Sequence, residues 1–189
     1  MWCWGTLYLC LLEPIGLAYA NPSESILVEQ LNGGYHVQLQ FEVNASPECV
    51  REVLTDYDQL SAINSKIVAS QAFEHPAANV TRVRYEIRHC IWFYCFDIVI
   101  VEDVTTLKDG SIIANVIPDE SDFRNGHTVW SLATSPSGTL IGYESFMEPG
   151  FWVFPILGPM IIKNTLREQI TLSADRIQSL VEEKNQYCL

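Results

Sequence analysis

Apolar and polar residues alternate along the chain from residue 36 to 43, directly after an Asn-Gly-Gly turn. The apolar positions are Val37, Leu39, Phe41 and Val43. Alternation with a period of two is typical of a strand with one buried face. The residues that follow predict a helix, because Ser46 is a suitable N-cap and a proline comes next, at the first helical position. A second short helix is predicted over residues 57–63.

From residue 66 onward, apolar segments are separated by turn residues, and we interpret them as six strands. They cover residues 67–73, 80–90, 96–104, 111–117, 127–133 and 140–147. Beyond them, apolar residues from Ile162 to Val181 recur at steps of four or seven, which predicts an amphipathic helix of about 25 residues. Only this helix is long enough to cover the concave face of a curled antiparallel sheet. The predicted fold class is therefore α+β, with about seven strands wrapped around the C-terminal helix in the order β-α-α-β6-α.

Three segments resemble the START-like helix-grip superfamily (SRPBCC), in particular its coenzyme Q-binding and polyketide cyclase type domains. They are Val43–Val50 (VNASPECV), Leu54–Leu60 (LTDYDQL) and Phe151–Val153 (FWV). The resemblance covers residues 34–184. It implies an internal cavity between sheet and C-terminal helix that binds or transports a hydrophobic small molecule such as a lipid, quinone or polyketide-like compound, without catalysis. Some relatives are cyclases or aromatases, so the alternative is a cyclase-like or isomerase enzyme that uses Tyr and His residues of the cavity.

The candidate ligand-binding residues lie on the predicted inner face of the sheet or just before and within the start of the last helix. Tyr85 and His89 share one strand face and are candidates for acid–base chemistry, with His127 or Glu144 from neighbouring strands. The alternative is a set of hydrogen-bonded polar groups at the cavity mouth, and we assign no catalytic residue. The predicted ligand-binding set is Tyr85, Ile87, His89, His127, Phe146, Trp152, Phe154, Met160 and Ile161.

The segment from Phe151 to Ile162 is almost wholly apolar but has no helical periodicity at its start. Two prolines and a glycine interrupt it, so a regular helix should begin near Pro159. Apolar surface of this kind covers a cavity, contacts a membrane or meets a partner. We expect a lid that also contacts a membrane surface. The alternatives are core packing of the helix start, or a partner-binding module that uses these aromatic residues.

Cysteine positions predict one disulfide and no metal site. Cys90 and Cys95 flank a predicted turn at Ile91–Tyr94, which brings them opposite each other across a hairpin. The alternative is two buried free thiols. No C-x-x-C pair is present and the four histidines are scattered, so we expect neither a bound metal ion nor a cofactor. The redox states of Cys49 and Cys188 stay open.

Charge and the N-terminal residues indicate the cellular setting. With 11 basic and 23 acidic residues, the chain lacks the basic surface that nucleic acid binding requires. Residues 1–20 are predicted to be a signal peptide, because an apolar run precedes the small-x-small sequence Ala18-Tyr19-Ala20. The alternative is an uncleaved apolar N-terminus, since no Lys or Arg precedes the run. We expect export, to the periplasm in a bacterium, where disulfides form.

Overall fold

Within the described residues, the strands form a single antiparallel sheet, and one long helix and two short ones accompany it. The computed structural model describes residues 25–74, 77, 79–91, 94–155 and 158–185. The strands are β1 (Ser25–Leu31), β2 (Gly34–Val43), β3 (Ile67–Glu74), β4 (Val80–Ile91), β5 (Tyr94–Thr106), β6 (Ile112–Val116), β7 (Phe123–Ser135) and β8 (Gly138–Pro149). The helices are α1 (Pro47–Leu54), α2 (Leu60–Ile63) and α3 (Gly158–Asn185). The sheet order is β1-β2-β8-β7-β6-β5-β4-β3, which confirms the α+β helix-grip architecture.

The first strand, β1, is additional to the seven that the sequence predicts. It pairs with β2 through a two-residue turn in which Asn32 has φ 50° and Gly33 has φ 85°. Two successive residues with positive φ form the tight hairpin turn that Asn-Gly sequences favour. The Asn-Gly pair was therefore a hairpin signal, and β1 extends the sheet by one strand beyond the predicted seven.

Local sequence accounts for the start of α1. Ser46 is the N-cap, its Oγ accepts a hydrogen bond from the backbone N–H of Cys49, and Pro47 occupies the first turn. The predicted second helix consists of a 3₁₀ turn, Tyr57–Gln59, followed by α2. Helix α3 begins at Gly158, one residue before the predicted start.

The core lies between α3 and one face of the sheet, here called the inner face. Val83 in β4 and Ile141 in β8 are buried on this face, and Ile177 and Val181 are buried on α3. Helix α3 packs against β1, β2, α1 and α2. Near its C-terminal end, Lys184 forms an ion pair of 3.1 Å with Glu52 of α1, so this end of α3 lies beside α1.

The predicted hairpin between β4 and β5 is present, and Cys90 and Cys95 form a disulfide, so the alternative of free thiols is wrong. Trp92 and Phe93, between the two strands, lie outside the described residues, as do the predicted signal peptide and Cys188. Cys49 is also disulfide-bonded.

The predicted loop before β7 is shorter than expected, because β7 already begins at Phe123. A 3₁₀ turn covers Pro118–Glu120, and the next two side chains bind the edge of β5. Ser121 Oγ accepts from the amide of Val101 at 2.9 Å, and Asp122 Oδ2 accepts from that of Val99 at 2.7 Å. These side chains satisfy amides of β5 beyond the end of β6, and the loop that contains Ser121 and Asp122 is thereby fixed to the sheet.

Candidate functional site

A buried glutamate is the main chemical feature of the inner face. Glu102 lies on β5, opposite Val83 of β4 and Val116 of β6, and only 7% of its surface is exposed. Burial disfavours an ionised carboxylate, and it raises the pKa of Glu102 from 4.5 to about 7. A neutral carboxylic acid, which can donate a hydrogen bond, is therefore well populated at neutral pH.

Tyrosine hydroxyl groups surround this carboxyl group. Tyr85 donates to Glu102 Oε2 at 3.3 Å, a contact that favours the ionised form of Glu102 and acts against the effect of burial. Burial, and then the nearby Glu102, raises the pKa of Tyr85 well above its usual value, and the same two causes raise the pKa of Tyr57 to about 12. Burial also raises the pKa of Tyr143. All three phenols therefore keep their protons and act as hydrogen-bond donors.

Two buried hydroxyl side chains extend this group along β7 and β8. Thr128 and Ser145 are cross-strand partners, and their hydroxyl oxygens lie 2.9 Å apart. The hydroxyl of Tyr143 interacts with both of them, while its ring contacts Trp130 at a centroid distance of 4.5 Å. We call Tyr57, Tyr85, Glu102, Thr128, Tyr143 and Ser145 the inner polar cluster.

The tyrosines of the cluster retain accessible surface even though they pack against the core. Tyr85 and Tyr143 contact the buried core residues but are only partly buried. Because α3 packs mainly over β1 and β2, the inner face of β4, β5, β7 and β8 is less closely covered. An apolar molecule bound under α3 would therefore contact the accessible surface of these tyrosines.

A separate pocket of about 490 Å³ opens at the α1 end of the sheet. Its lining is mostly polar and includes Arg51, Thr55 and Thr81. Tyr57 lines this pocket and belongs to the inner polar cluster as well, so it marks the boundary between them. Among the described residues, no group of three His, Cys, Asp or Glu side chains is arranged to hold a metal ion.

Three of the predicted ligand-binding residues lie on the inner face. Tyr85, Ile87 and His89 alternate along β4 in phase with the buried Val83. Burial, and then the charge of Lys66, lowers the pKa of His89 below its usual value. The His89 ring contacts Phe96 edge-on at a centroid distance of 5.5 Å. The structure thus places Tyr85 beside Glu102, while Ile87 and His89 lie further along β4, opposite Ile98 and Phe96 of β5.

Two predicted residues lie on the opposite, outer face. His127 and Phe146 are cross-strand partners. His127 directly precedes Thr128 and Phe146 directly follows Ser145, and both Thr128 and Ser145 are inner-face residues of the cluster. His127 Nδ1 lies 2.8 Å from Asn115 Oδ1 at an exposed position. Since successive side chains of a strand point to opposite faces, neither residue reaches the inner polar cluster. The candidate Glu144 also lies on the outer face, where its carboxylate contacts His36 at 2.9 Å.

The last four predicted residues are exposed at the surface. Trp152 is 74% exposed, Phe154 51%, Met160 56% and Ile161 39%. The rings of Trp152 and Phe154 contact each other at a centroid distance of 5.6 Å. Core packing therefore does not account for Trp152, Phe154 and Met160, which each have more than half of their surface exposed.

The sequence reasoning missed Glu102 and its partners in the cluster. Four apolar residues in succession, Ile98 to Val101, conceal the alternation that would have placed Glu102 on the inner face. Val101 faces outward but is buried, so the strand is apolar on both sides at this point. The available signal was the phase of Phe96, Ile98 and Ile100, which continues to Glu102.

A long C-terminal helix packed on one face of an antiparallel sheet is the architecture of a START-like helix-grip protein. The sequence matches a family model described as "Polyketide cyclase / dehydrase and lipid transport" over residues 35–182. The chain therefore belongs to this family. No curated protein matches the sequence closely enough to serve as a characterised relative.

Solved structures with the same fold include both transfer proteins and cyclases. A STAR-related lipid transfer protein from Xanthomonas axonopodis has 14% identity and a TM-score of 0.62, over 84% of this chain and 98% of that one. A START superfamily protein from Mycobacterium smegmatis has 20% identity and a TM-score of 0.62, over 78% and 97%. The Zhui aromatase/cyclase from Streptomyces sp. R1128 has 13% identity and a TM-score of 0.58, over 81% and 94%. At these identities the likeness shows the fold.

Proposed function

We propose that this protein binds and carries a hydrophobic small molecule, of lipid, quinone or polyketide-like type, between the inner face and α3. The observation that supports this is the inner polar cluster, a few hydrogen-bonding groups among apolar side chains. Ligand pockets have this composition, because apolar walls supply affinity and isolated polar groups fix the orientation. Within the predicted set, Tyr85, Ile87 and His89 are the proposed ligand contacts, together with Glu102 and Tyr143.

The first experiment is native mass spectrometry of the purified protein, with solvent extraction of whatever co-purifies. Direct binding is then measured with the neutral fluorescent probe N-phenyl-1-naphthylamine. Ile87→Lys places a charge on the inner face and should weaken probe binding at least ten-fold, whereas His127→Lys, on the exposed outer face, is the matched control. A wild-type protein that retains no apolar molecule and does not bind the probe would contradict the proposal, as would unchanged binding by a folded Ile87→Lys variant.

The second candidate function is a cyclase-like or isomerase enzyme, and Glu102 is the observation that favours it. A carboxyl group with a pKa of about 7 can exchange a proton near neutral pH, and Tyr85 donates a hydrogen bond to it. Turnover of a polyketide-like or aromatic substrate that is lost in Glu102→Gln, with binding retained, would establish this function. Binding without turnover in the wild-type protein favours the carrier.

We also propose that Trp152 and Phe154 contact a membrane surface during ligand exchange. Both are exposed, and Trp suits the interface between water and lipid. The net charge of −12 makes neutral vesicles the appropriate probe. Replacement of both residues by Ser should reduce vesicle binding and uptake of a fluorescent lipid. Leu27→Ser with Leu31→Ser, at positions 43% and 45% exposed on β1, is the control.

Two outcomes decide between the interpretations of this surface. Unchanged vesicle binding and uptake in a folded Trp152→Ser, Phe154→Ser variant would exclude the membrane contact. Recovery of the wild-type protein in a stable protein complex without apolar ligand would favour a partner-binding module.

Among the described residues, no helix is both long and apolar enough to span a membrane. Export also stays a proposal, tested by N-terminal sequencing of protein from fractionated cells, with cleavage after Ala20 as the expected result.

A further inference from the structure

The hydroxyl group of Tyr35 lacks a hydrogen-bond partner. It is the one buried side-chain oxygen or nitrogen within the described residues for which this is so, and only 3% of the Tyr35 surface is exposed. Buried polar groups are nearly always hydrogen-bonded, because desolvation without a partner is destabilising. An unpartnered hydroxyl buried on the inner face therefore indicates that a partner arrives from outside the chain.

The strand register places Tyr35 across the sheet from Glu102. Tyr35 in β2 pairs with Met147 in β8, and Met147 pairs with Gly126 in β7. Val116 in β6 pairs with Glu102 in β5. A Cβ atom on Gly126 would lie 2.4 Å from Val116 Cγ2 and 2.6 Å from Met147 Sδ, so these two side chains close over the glycine. The five residues form one cross-strand row, with a polar group at each end and an apolar middle.

The two polar ends of this row are far enough apart to bind different parts of one molecule. Four strand spacings separate β5 from β2, which is about 19 Å along the sheet, and the side chains that point inward shorten the gap. Burial raises the pKa of Tyr35, so its hydroxyl keeps its proton and can donate as well as accept. The apolar residues between the ends suit a hydrocarbon frame.

We propose that Tyr35 is a second hydrogen-bonding anchor, which binds an oxygen function of the ligand at the side of the cavity opposite Glu102. This inference rests on the proposed carrier function and narrows its ligand class. The ligand is an apolar molecule with two hydrogen-bonding oxygen functions, one bound by Glu102 and its tyrosines and one by Tyr35.

The test compares Tyr35→Phe with the wild-type protein, using 1-decanol and 1,10-decanediol to displace the bound fluorescent probe. A single alcohol can use the Glu102 end, whereas the diol can use both anchors. We expect the wild-type protein to bind the diol about three- to ten-fold more tightly than the alcohol, the effect of one net hydrogen bond. Tyr35→Phe should remove this preference and leave the affinity for 1-decanol unchanged.

Stability of the ligand-free protein supplies the second measurement. Tyr35→Phe should leave the urea midpoint unchanged or raise it, because it removes a hydroxyl without a partner. Tyr143→Phe is the matched control and should lower the midpoint, because it removes a hydroxyl that interacts with Ser145 and Thr128. Equal affinities of the wild-type protein for both alcohols, or a preference for the diol that survives in Tyr35→Phe, would overturn the inference. A lower midpoint for ligand-free Tyr35→Phe would also overturn it, by showing that water or protein already binds the hydroxyl. Failure of the wild-type protein to bind the probe at all would instead contradict the carrier function and remove the basis of this inference.

Discussion

Replacing Glu102 by Gln should stabilise the protein at alkaline pH and have little effect at acidic pH. The Gln side chain keeps the shape of Glu, and its amide oxygen can still accept the hydrogen bond from Tyr85, but it cannot ionise. Wild-type Glu102 has a pKa of about 7 in the folded protein against 4.5 in the reference state. The folded protein therefore holds a proton that the unfolded chain releases as the pH rises above 4.5.

The sign and size of the effect follow from proton linkage. Between pH 4.5 and 7 the folded state binds more protons than the unfolded state, so the free energy of unfolding falls as the pH rises through this interval. Across this interval the free energy of unfolding falls by about 3 kcal/mol, and above pH 7 Glu102 causes no further decrease. Because Glu102 is only 7% exposed, screening by solvent reduces this figure little.

The assay is urea unfolding of both proteins at pH 5, 6, 7 and 8, followed by circular dichroism. We expect nearly equal free energies of unfolding at pH 5 and an advantage for Glu102→Gln of up to about 3 kcal/mol at pH 8. The folded pKa of His89 is lowered, which gives its contribution to the pH dependence the opposite sign, but it contributes to both proteins and cancels in the difference. Glu29→Gln, at an exposed position on β1, is the control. A difference that does not change with pH, or a less stable Glu102→Gln at pH 8, would refute the reasoning.

Three further predictions concern covalent and buried polar contacts. Replacing Cys90 and Cys95 by Ser should lower the free energy of unfolding by about 2 kcal/mol or less, because the closed ring is short; urea unfolding without reductant measures this, and no change would contradict it. Since the end of α3 lies beside α1, we expect non-reducing peptide mapping to join Cys49 to Cys188, and a different linked peptide would contradict this. Thr139→Val should lower the free energy of unfolding by about 1–3 kcal/mol, because the fully buried Thr139 hydroxyl donates to the carbonyl of Ala45 at 2.7 Å. A urea midpoint equal to that of the wild-type protein would contradict this decrease.

The fold was predictable because local signals and the global architecture agree. The alternation from Val37 to Val43, the cap at Ser46 and the periodicity of the last helix each specify an element independently of the rest of the chain. The strand-like run from Val80 to Val104 is too long for one strand, which specified a hairpin turn within it although no Gly or Pro marks that turn. The β1 strand was missed because the Asn-Gly turn was interpreted only as a turn that precedes a strand, and not as the turn of a hairpin with a strand on each side.

The site was less predictable, because it depends on which face each strand turns inward. His127 and Phe146 were expected in the cavity, yet a shift of one residue puts Thr128 and Ser145 there instead. Hydrophobicity does not resolve such a shift where a strand is apolar on both faces, as around Val101. The exposed positions of Trp152 and its neighbours depend on how the chain crosses from β8 to α3, and composition alone does not determine that path.

The two candidate functions make opposite demands on the proton of Glu102. A carrier of a neutral molecule is complementary to the protonated acid, which donates a hydrogen bond and has no charge to desolvate. A bound apolar ligand excludes water and favours that form further, so ligand binding should be coupled to proton uptake and weaken as the pH rises above about 7. An enzyme that uses Glu102 as a general base requires the ionised form, so its turnover should increase over the same range. The pH dependence of probe binding and of turnover, each compared with Glu102→Gln, therefore separates the carrier from the enzyme whatever the natural ligand is.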